Sequence, residues 1–306
     1  MLSRRQFATG IGGSLAMATQ LPQSASAQPA ARRRLIVDAQ VHIWQANSPE
    51  LPWVPGANRP GPVETFSIER LISMMDEDGV DRAVIAPPSL TAPRNDYGLE
   101  AAKRHPDRFK VMGRFPMEDP KAIELLPRWK EQPGMLGIRL AFERHSAQKL
   151  KDGGYDGLFA ACEKAAIPLM LFAPGLLPNF ARIAERFPQL VLIADHAGMN
   201  NAIPIAQAAT DTIALAKYPN VTVKLKAGAQ YAPEPYPYPN MSAQLKRVFE
   251  AYGAQRCHWE TDITQTLNEG GYKHRIAHFT EELKFLSEDD KDWIMGRSIL
   301  ARLRWA

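Results

Sequence analysis

The chain has 306 residues, of which 45% are hydrophobic and 23% are charged, and its formal net charge is +4. A chain of this length can bury one large core or two small ones. The small positive charge, without a basic surface interleaved with aromatic residues, excludes nucleic acid from the expected partners. Cys162 and Cys257 lie far apart, at a spacing that indicates neither zinc binding nor redox chemistry, so we expect buried free thiols.

The first 27 residues have the pattern of a twin-arginine export signal. Ser3-Arg4-Arg5-Gln6-Phe7 precedes a weakly apolar segment and the small-residue site Ala25-Ser26-Ala27. The apolar segment is far shorter than the roughly 20 residues that a membrane span needs. We therefore predict a signal peptide at 1–27, a folded domain at 28–306, and a periplasmic or secreted protein without a membrane span. An anchor or a disordered leader is the alternative.

Short apolar runs typical of buried strands alternate with helix-period segments from Leu35 to the C-terminus. The hairpin turns of antiparallel sheets are missing between these runs. Eight strands are predicted, at 35–41, 83–86, 109–113, 136–140, 168–172, 190–194, 221–225 and 256–261.

Eight strand-helix units in about 270 residues match the usual size of a (β/α)8 TIM barrel. No linker rich in Pro, Gly or Ser divides them, so we predict the α/β class and a single domain. A doubly wound open sheet is the alternative, and it is disfavoured because no glycine-rich phosphate loop follows the first strand. Helical apolar stripes lie between the strands, for example Phe180, Ile183, Ala184 and Phe187, or Leu245, Val248, Phe249 and Tyr252.

Two connections, 43–66 and 228–240, are too long and too aromatic to be simple turns. The first contains Trp44 and Trp53, and the second contains Tyr231. Both follow strands and therefore lie on the catalytic face of a barrel, where proline-stiffened aromatic loops suit the rim of a pocket for an organic substrate. Loops that only cover the barrel are the alternative.

Strand alternation predicts which polar side chains face the barrel interior, because the outward set must be apolar to meet the helices. On the fourth strand Arg139 faces inward, and on the seventh strand Lys224 and Lys226 do. A lysine inside a barrel is costly unless it is paired or hydrated, so we expect Lys224 or Lys226 to reach a site. A structural ion pair is the alternative. On the first strand, Asp38, Gln40 and His42 are predicted to face inward, opposite Val37, Ala39 and Val41.

His42, His196 and Asp262 all fall at the carboxyl ends of predicted strands, which is where barrel enzymes place their chemistry. A single histidine is more often structural than catalytic, but three such residues at one end of the barrel predict a shared active site. His258 and Glu260 are predicted to face the same side of the eighth strand as Asp262 but to lie deeper in the barrel. We therefore expect them to contact the site residues and not the substrate.

Together these residues resemble the amidohydrolase-related family and specifically its lactonase-like branch. The resemblance covers most of the chain after the signal, and the order and spacing of its motifs carry it. The motifs are Asp38-Ala39-Gln40-Val41-His42-Ile43-Trp44, Gly137-Ile138-Arg139-Leu140, Asp195-His196-Ala197-Gly198, Val223-Lys224-Leu225, Trp259-Glu260-Thr261-Asp262 and the last helix from Met295 to Leu303.

The resemblance implies a (β/α)8 barrel, hydrolysis of cyclic esters, and Asp262 as the general base. The chain departs from the family pattern at Gln40, where a histidine is usual, and at Glu260, where glycine is usual. These departures remove the ligands for two metal ions. We therefore expect a metal-free site, and the alternative is one divalent ion such as zinc held by His42, His196 and Asp262.

The predicted reaction is attack of water on a lactone carbonyl, with Asp262 as the base. We expect His42, His196 and Arg139 or Lys224 to stabilise the oxyanion. Gln40, Arg139, Lys224 and Trp44 are the predicted substrate-binding residues.

Two inward cations favour an anionic or polyhydroxylated small-molecule substrate, and self-association is left open. The alternatives are a lactone isomerase, a metal-dependent decarboxylase, which Gln40 disfavours, and a periplasmic small-molecule binding protein on an inactive barrel.

Overall fold

The computed structural model describes residues 33–142, 145–228 and 230–306. Eight strands form one sheet in chain order, and each hydrogen-bonded neighbour pair is parallel. Each of them overlaps a strand predicted from the sequence. They are β1 (Val37–Val41), β2 (Arg82–Ile85), β3 (Phe109–Arg114), β4 (Met135–Ala141), β5 (Leu169–Phe172), β6 (Leu192–Ala194), β7 (Val221–Lys226) and β8 (Cys257–Glu260).

Helices follow the strands and cover the outer face of the sheet. Their buried stripes include the predicted Phe180, Ile183 and Ala184, which pack in the large apolar cluster together with Leu169 and Leu192 of the strands. The α-helices of the described residues are α1 (Ile68–Asp78), α2 (Asp96–Arg104), α3 (His145–Lys151), α4 (Asp156–Lys164), α5 (Phe180–Arg186), α6 (Ile205–Ile213), α7 (Pro239–Tyr252), α8 (Gly271–Ala277), α9 (Glu288–Asp292) and α10 (Ser298–Leu303).

A second, smaller apolar cluster fills the barrel interior and supports the polar end of the strands. Met112 and Ile193 belong to this cluster, and each lies two residues before a polar side chain on the same face, Arg114 and Asp195 respectively. The interior therefore changes from apolar to charged along the strands. The other members of the cluster are Val37, Ala39, Val84, Met170, Ile299, Leu303 and Trp305.

The sheet closes between β8 and β1 through a few specific bonds. The backbone N–H of Asp262 donates to the carbonyl oxygen of Gln40 at 3.1 Å. The backbone N–H and the hydroxyl of Thr261 both donate to the carboxylate of Asp38. The predicted single-domain TIM barrel is therefore confirmed, as a nearly closed barrel.

The alternation predicted for β1 is wrong for its first part, because the strand contains a bulge. Asp38 pairs with Ala83, but Val41 pairs with Ile85, so β1 carries one extra residue between the two pairs. Val37 and Ala39, which were expected to meet the helices, pack in the interior cluster instead.

Beyond the bulge, Gln40 bonds to Lys224 and His42 contacts Asp262 across the interior. Both side chains therefore face inward, as predicted. The prediction that Asp38 shares their face is wrong. Its carboxylate instead accepts hydrogen bonds from Thr261 and from the hydroxyl of Tyr272 on α8, at 3.0 Å for the latter.

The predicted signal peptide at 1–27 lies outside the described residues. Within the part of the chain that the structure covers, no helix has the length and apolar character needed to cross a membrane. Cys162 and Cys257 are buried free thiols, as expected.

Asp38 gives the fold a pH dependence that can be measured. Burial raises the pKa of its carboxyl to about 6, although four hydrogen bonds favour the charged form. Because the pKa in the folded state lies above the value near 3.9 in an unfolded chain, this group lowers the free energy of unfolding as pH rises from 4 to 7, by about 3 kcal/mol.

We therefore expect the Asp38→Asn variant to lose this component, because the amide does not titrate and the hydroxyls of Thr261 and Tyr272 can turn to accept from it. Urea unfolding of wild type and variant between pH 4 and 8 measures the difference. Glu131→Gln, which changes an exposed carboxylate, is the control. Identical pH slopes for wild type and Asp38→Asn would contradict this account.

Candidate active site

A cavity of about 350 Å³ opens at the carboxyl ends of the strands. His42, Arg139, His196 and Asp262, four of the residues predicted from the sequence, line it together. Both aromatic connections also reach this cavity, the first through Asn58, Arg59 and Pro60 and the second through Gln230 and Tyr231.

Asp262 contributes a carboxylate to the cavity, and the side chains of Lys226, His42 and His196 surround it. It follows β8 in a left-handed conformation, with φ 45°, and is 3% exposed. Its Oδ2 lies 3.8 Å from the Nζ of Lys226 and 3.9 Å from the Nε2 of His196, while its Oδ1 lies 3.1 Å from the Nε2 of His42. Burial alone would raise the pKa of this carboxyl, but Lys226, His42 and His196 hold the pKa well below its ordinary value. Asp262 is therefore ionised at neutral pH.

Both histidines have their Nδ1 atoms bonded to acceptors away from the cavity. The Nδ1 of His42 donates to the carbonyl oxygen of Ala86 at 2.5 Å, and the Nδ1 of His196 donates to Oε1 of Glu260 at 2.5 Å. Carbonyl and carboxylate oxygens only accept, so Nδ1 carries the proton in each ring. The Nε2 atoms of both rings face the carboxylate of Asp262, at 3.1 Å from His42 and 3.9 Å from His196.

The ring of His196 is also held by packing. It lies between the rings of Phe172, at 5.6 Å between centroids, and Tyr231, at 5.8 Å. The guanidinium of Arg139 lies over the same Phe172 ring. These contacts limit the movement of the imidazole and give the cavity an apolar side next to its charged groups.

A buried charge network, formed by Arg139, Asp195, Lys224 and Glu260, lies beneath the cavity. Oδ2 of Asp195 accepts a hydrogen bond from Nε of Arg139 at 2.7 Å, and its Oδ1 forms an ion pair with Nζ of Lys224, also at 2.7 Å. Lys224 also lies 3.1 Å from Glu260 and donates to the amide oxygen of Gln40. Two carboxylates thus balance two cations, and the ammonium makes one hydrogen bond, to Gln40, and two ion pairs, to Asp195 and Glu260. Burial alone would raise the pKa of Asp195, but Lys224 and Arg139 keep it below its ordinary value.

Three of the predicted substrate-binding residues do not line the cavity. Gln40 and Lys224 are fully buried and bond to each other. Trp44 is 1% exposed, stacks on Phe66 and donates its indole N–H to the carbonyl of Glu64. The structure therefore places all three behind the cavity wall, although the amide nitrogen of Gln40 has no hydrogen-bond partner there. Of the two inward lysines, Lys226 is the one next to Asp262.

Arg114 and Arg59, which were not predicted from the sequence, place two more guanidinium groups at the cavity. Arg114 lies on the same face of β3 as Met112. Its inward position would have followed from the alternation of side chains if the third strand had been predicted to end at residue 114 and not at 113. Arg59 stacks on Trp53 of the first aromatic connection at 4.9 Å. No pattern in the sequence indicated its position.

Comparison with known proteins places the chain in a family. The model of the amidohydrolase family matches residues 37–298. The chain belongs to this family. The prediction that it is an enzyme is thereby confirmed.

Individual relatives are more distant. The chain is 25% identical over 239 residues to an L-fucono-1,5-lactonase of Burkholderia ambifaria, an alignment that covers 74% of this chain and 79% of that protein. A zinc-containing amidohydrolase of Burkholderia multivorans superposes with a TM-score of 0.75 at 18% identity, covering 88% of this chain and 99% of the other. A probable 2-pyrone-4,6-dicarboxylic acid hydrolase of Acinetobacter baumannii, with citric acid bound, has a TM-score of 0.72 at 19% identity and the same coverages.

The donor set at the cavity fits one divalent cation. His42 and His196 present their Nε2 atoms, Asp262 presents a carboxylate, and each imidazole has the supporting acceptor that metal-binding histidines usually have. Ligand atoms of a tetrahedral zinc ion lie roughly 3.4 Å apart. The observed separations are 3.1 Å from Oδ1 of Asp262 to His42 and 3.9 Å from Oδ2 to His196, and within the described residues no group of three such side chains is arranged to hold a metal ion, so binding requires some movement of the side chains.

Among the residues that the structure describes, no ligand set for a second ion lies at this end of the barrel. The amide of Gln40 is bonded to Lys224, and the carboxylate of Glu260 is bonded to Lys224 and His196. At the end of β5 stands Phe172, which offers no ligand atom. The loss of a two-metal site and the metal-free site both stay predictions.

From these donors we predict that chelator-treated protein takes up one zinc ion per chain in a calorimetric titration. His42→Gln should abolish this binding, because it removes one of only three donors. His258→Gln is the matched control, since His258 lies on β8 but bonds to Ser298, away from the cavity. Two ions per chain, or one ion that survives His42→Gln, would show that the ligand set is different.

Proposed function

We propose that the protein hydrolyses a lactone that carries a carboxylate group. The observation that carries this proposal is the buried, ionised Asp262 facing a cavity that three arginines line. A base of this kind can activate water, and fixed cations can bind an anionic substrate and stabilise an oxyanion. The relationship to a sugar lactonase supports a cyclic ester as the substrate.

In the first step, a water oxygen forms a bond to the lactone carbonyl carbon while Asp262 takes a proton from that water. The carbonyl electrons move to oxygen and give a tetrahedral oxyanion. In the second step the bond to the ring oxygen breaks, and the leaving alkoxide takes the proton back from Asp262. The product is an open-chain hydroxy acid, and the base is regenerated.

Asp262 is a modest base, because its neighbours hold its pKa low. Much of the rate must then come from positioning and electrostatics. The guanidinium of Arg139 is fixed at Nε by Asp195, which leaves its terminal nitrogens at the cavity to stabilise the oxyanion.

The remaining arginines favour a substrate with its own negative charge. Arg114 and Arg59 line the cavity from two different elements, so a carboxylate can be bound away from the reacting carbonyl. The rings of Phe172 and Tyr231 provide an apolar surface for the lactone ring. The citrate-bound hydrolase of similar fold supports a substrate with carboxylate groups.

A divalent ion held by His42, His196 and Asp262 would supply Lewis-acid polarisation of the carbonyl. The zinc-containing relative supports the presence of such an ion. We also propose, from the pattern of residues 1–27, that the enzyme acts after twin-arginine export.

Asp262→Asn should lower kcat/KM on an accepted lactone by about 10²- to 10⁴-fold, because it removes the general base without changing the size of the side chain. A pH-indicator assay with sugar lactones and carboxylate-bearing lactones measures the loss. Thermal unfolding checks that the fold persists. Cys162→Ala, which removes a buried thiol away from the cavity, is the control. An Asp262→Asn variant with normal turnover would refute the role of this residue.

A further inference from the structure

A second cavity, of about 270 Å³, lies at the end of the barrel where the strands begin, opposite the candidate active site. Met135 begins β4, Pro168 comes directly before β5, and Val191 comes directly before β6. The last turn of α10 closes the cavity with Arg302 and Leu303. The volume is close to the lower limit of roughly 300 Å³ for small-molecule sites. None of the described residues lines both cavities, so the second cavity is a separate space.

The guanidinium of Arg302 is a partly buried cation without a counter-charge. Its Nη2 donates to the backbone carbonyl oxygen of Asn220, while its Nε is buried and has no hydrogen-bond partner. No carboxylate of the described residues pairs with this side chain, although a buried charge is costly unless it is compensated. Burial and the nearby Arg256 lower the pKa of Arg302 to about 10, so the side chain stays charged at neutral pH.

The other charged side chains at the second cavity do not neutralise Arg302. Glu163 is the one carboxylate among the described lining residues, and its Oε1 accepts from a backbone N–H at 2.8 Å. Lys130 and Arg304 add two more cations, and the Nζ of Lys130 donates to a backbone carbonyl oxygen at 2.9 Å. Three cations thus face one carboxylate, which favours an anionic ligand.

Much of the remaining wall of the second cavity is apolar. Leu136, Leu190 and Leu303 line it, together with Met135. An inorganic anion would compensate Arg302 but leave this apolar surface without a partner. A neutral apolar molecule would cover the surface but leave the cation uncompensated. The lining therefore fits a molecule that has both a negative group and an apolar body.

We propose that the second cavity binds a small organic anion, a carboxylate with an apolar body of about six carbon atoms, and that its carboxylate pairs with the guanidinium of Arg302. The bound carboxylate supplies the missing counter-charge and accepts from N–H groups that have no acceptor in the described part of the chain. Its chain packs against the leucines of the wall. This site is distinct from the candidate active site and does not rest on the proposed lactone hydrolysis.

Hexanoate is the probe for this site, and the methyl group of Met135 is the reporter. In protein labelled with ¹³C at the methionine methyl groups, the Met135 signal is assigned by NMR with the variant Met135→Leu. Hexanoate should shift this signal in a saturable manner, with a Kd below about 1 mM. Hexanamide has the size without the charge, and acetate has the charge without the chain. Each should bind about 10- to 100-fold more weakly than hexanoate.

Three variants locate the site. Arg302→Met should weaken hexanoate binding about 10- to 100-fold, because it removes the charge and keeps a long side chain. Arg128→Met is the matched control, since Arg128 lies two residues before Lys130 but pairs with Glu131 and does not line the cavity. Arg59→Met changes a cation of the candidate active site, which can also attract carboxylates. Neither Arg128→Met nor Arg59→Met should change the titration of the Met135 signal.

A Met135 signal that does not move with hexanoate up to about 20 mM would overturn the proposal. Equal affinities for hexanoate and hexanamide would do the same, and this comparison needs only the wild-type protein if Arg302→Met does not fold. A folded Arg302→Met with the wild-type affinity, or a shift that disappears in Arg59→Met, would show that the anion binds elsewhere. Failure of the proposed function would leave all of the expected titrations unchanged and would appear only as an absence of lactone turnover.

Discussion

The ammonium of Lys224 is the interaction on which the rest of the site depends. It lies inside the barrel with no exposure and bonds to Asp195, Glu260 and Gln40. An unpaired lysine at this depth would be very costly, and so would either carboxylate without it. Because Asp195 also binds Arg139 and Glu260 also binds His196, this single cation fixes two of the side chains that reach the cavity. The barrel supplies the frame, and this network sets the orientation of its functional groups.

Much of this arrangement could be predicted from the sequence, because alternation along strands and the order of strands are local patterns. The eight strands, the inward positions of Gln40, His42 and Arg139, and the aromatic connections at the cavity all follow from such patterns. The bulge in β1 could not be predicted, since one extra residue leaves no signal in the pattern, and it turns Asp38 toward Tyr272. The alternation also shows that a side chain faces inward but not how far it reaches. The side chains of Gln40 and Lys224 both face inward, but the Lys224 ammonium donates to the Gln40 amide oxygen below the cavity, and neither side chain lines it.

The two departures from the family pattern therefore have one explanation. A histidine at position 40 and a glycine at position 260 would leave Lys224 without two of its three acceptors. Gln40 and Glu260 supply those acceptors, and Glu260 in addition holds the ring of His196. Where the family pattern would place ligands for a second ion, this chain has a charge-balanced group of side chains around Lys224. Catalytic positive charge then comes from arginines at the cavity, from one ion at His42, His196 and Asp262, or from both.

The central claim is that water attacks the carbonyl carbon of a lactone in the cavity beside Asp262. Hydrolysis of a carboxylate-bearing lactone in water enriched in ¹⁸O, followed by mass spectrometry of the product, tests it most directly. The account predicts one ¹⁸O atom in the newly formed carboxyl group and none in the released hydroxyl. Label in the hydroxyl group would show that water attacks the alkyl carbon, and an absence of turnover across anionic and neutral lactones would show that the cavity serves a different reaction.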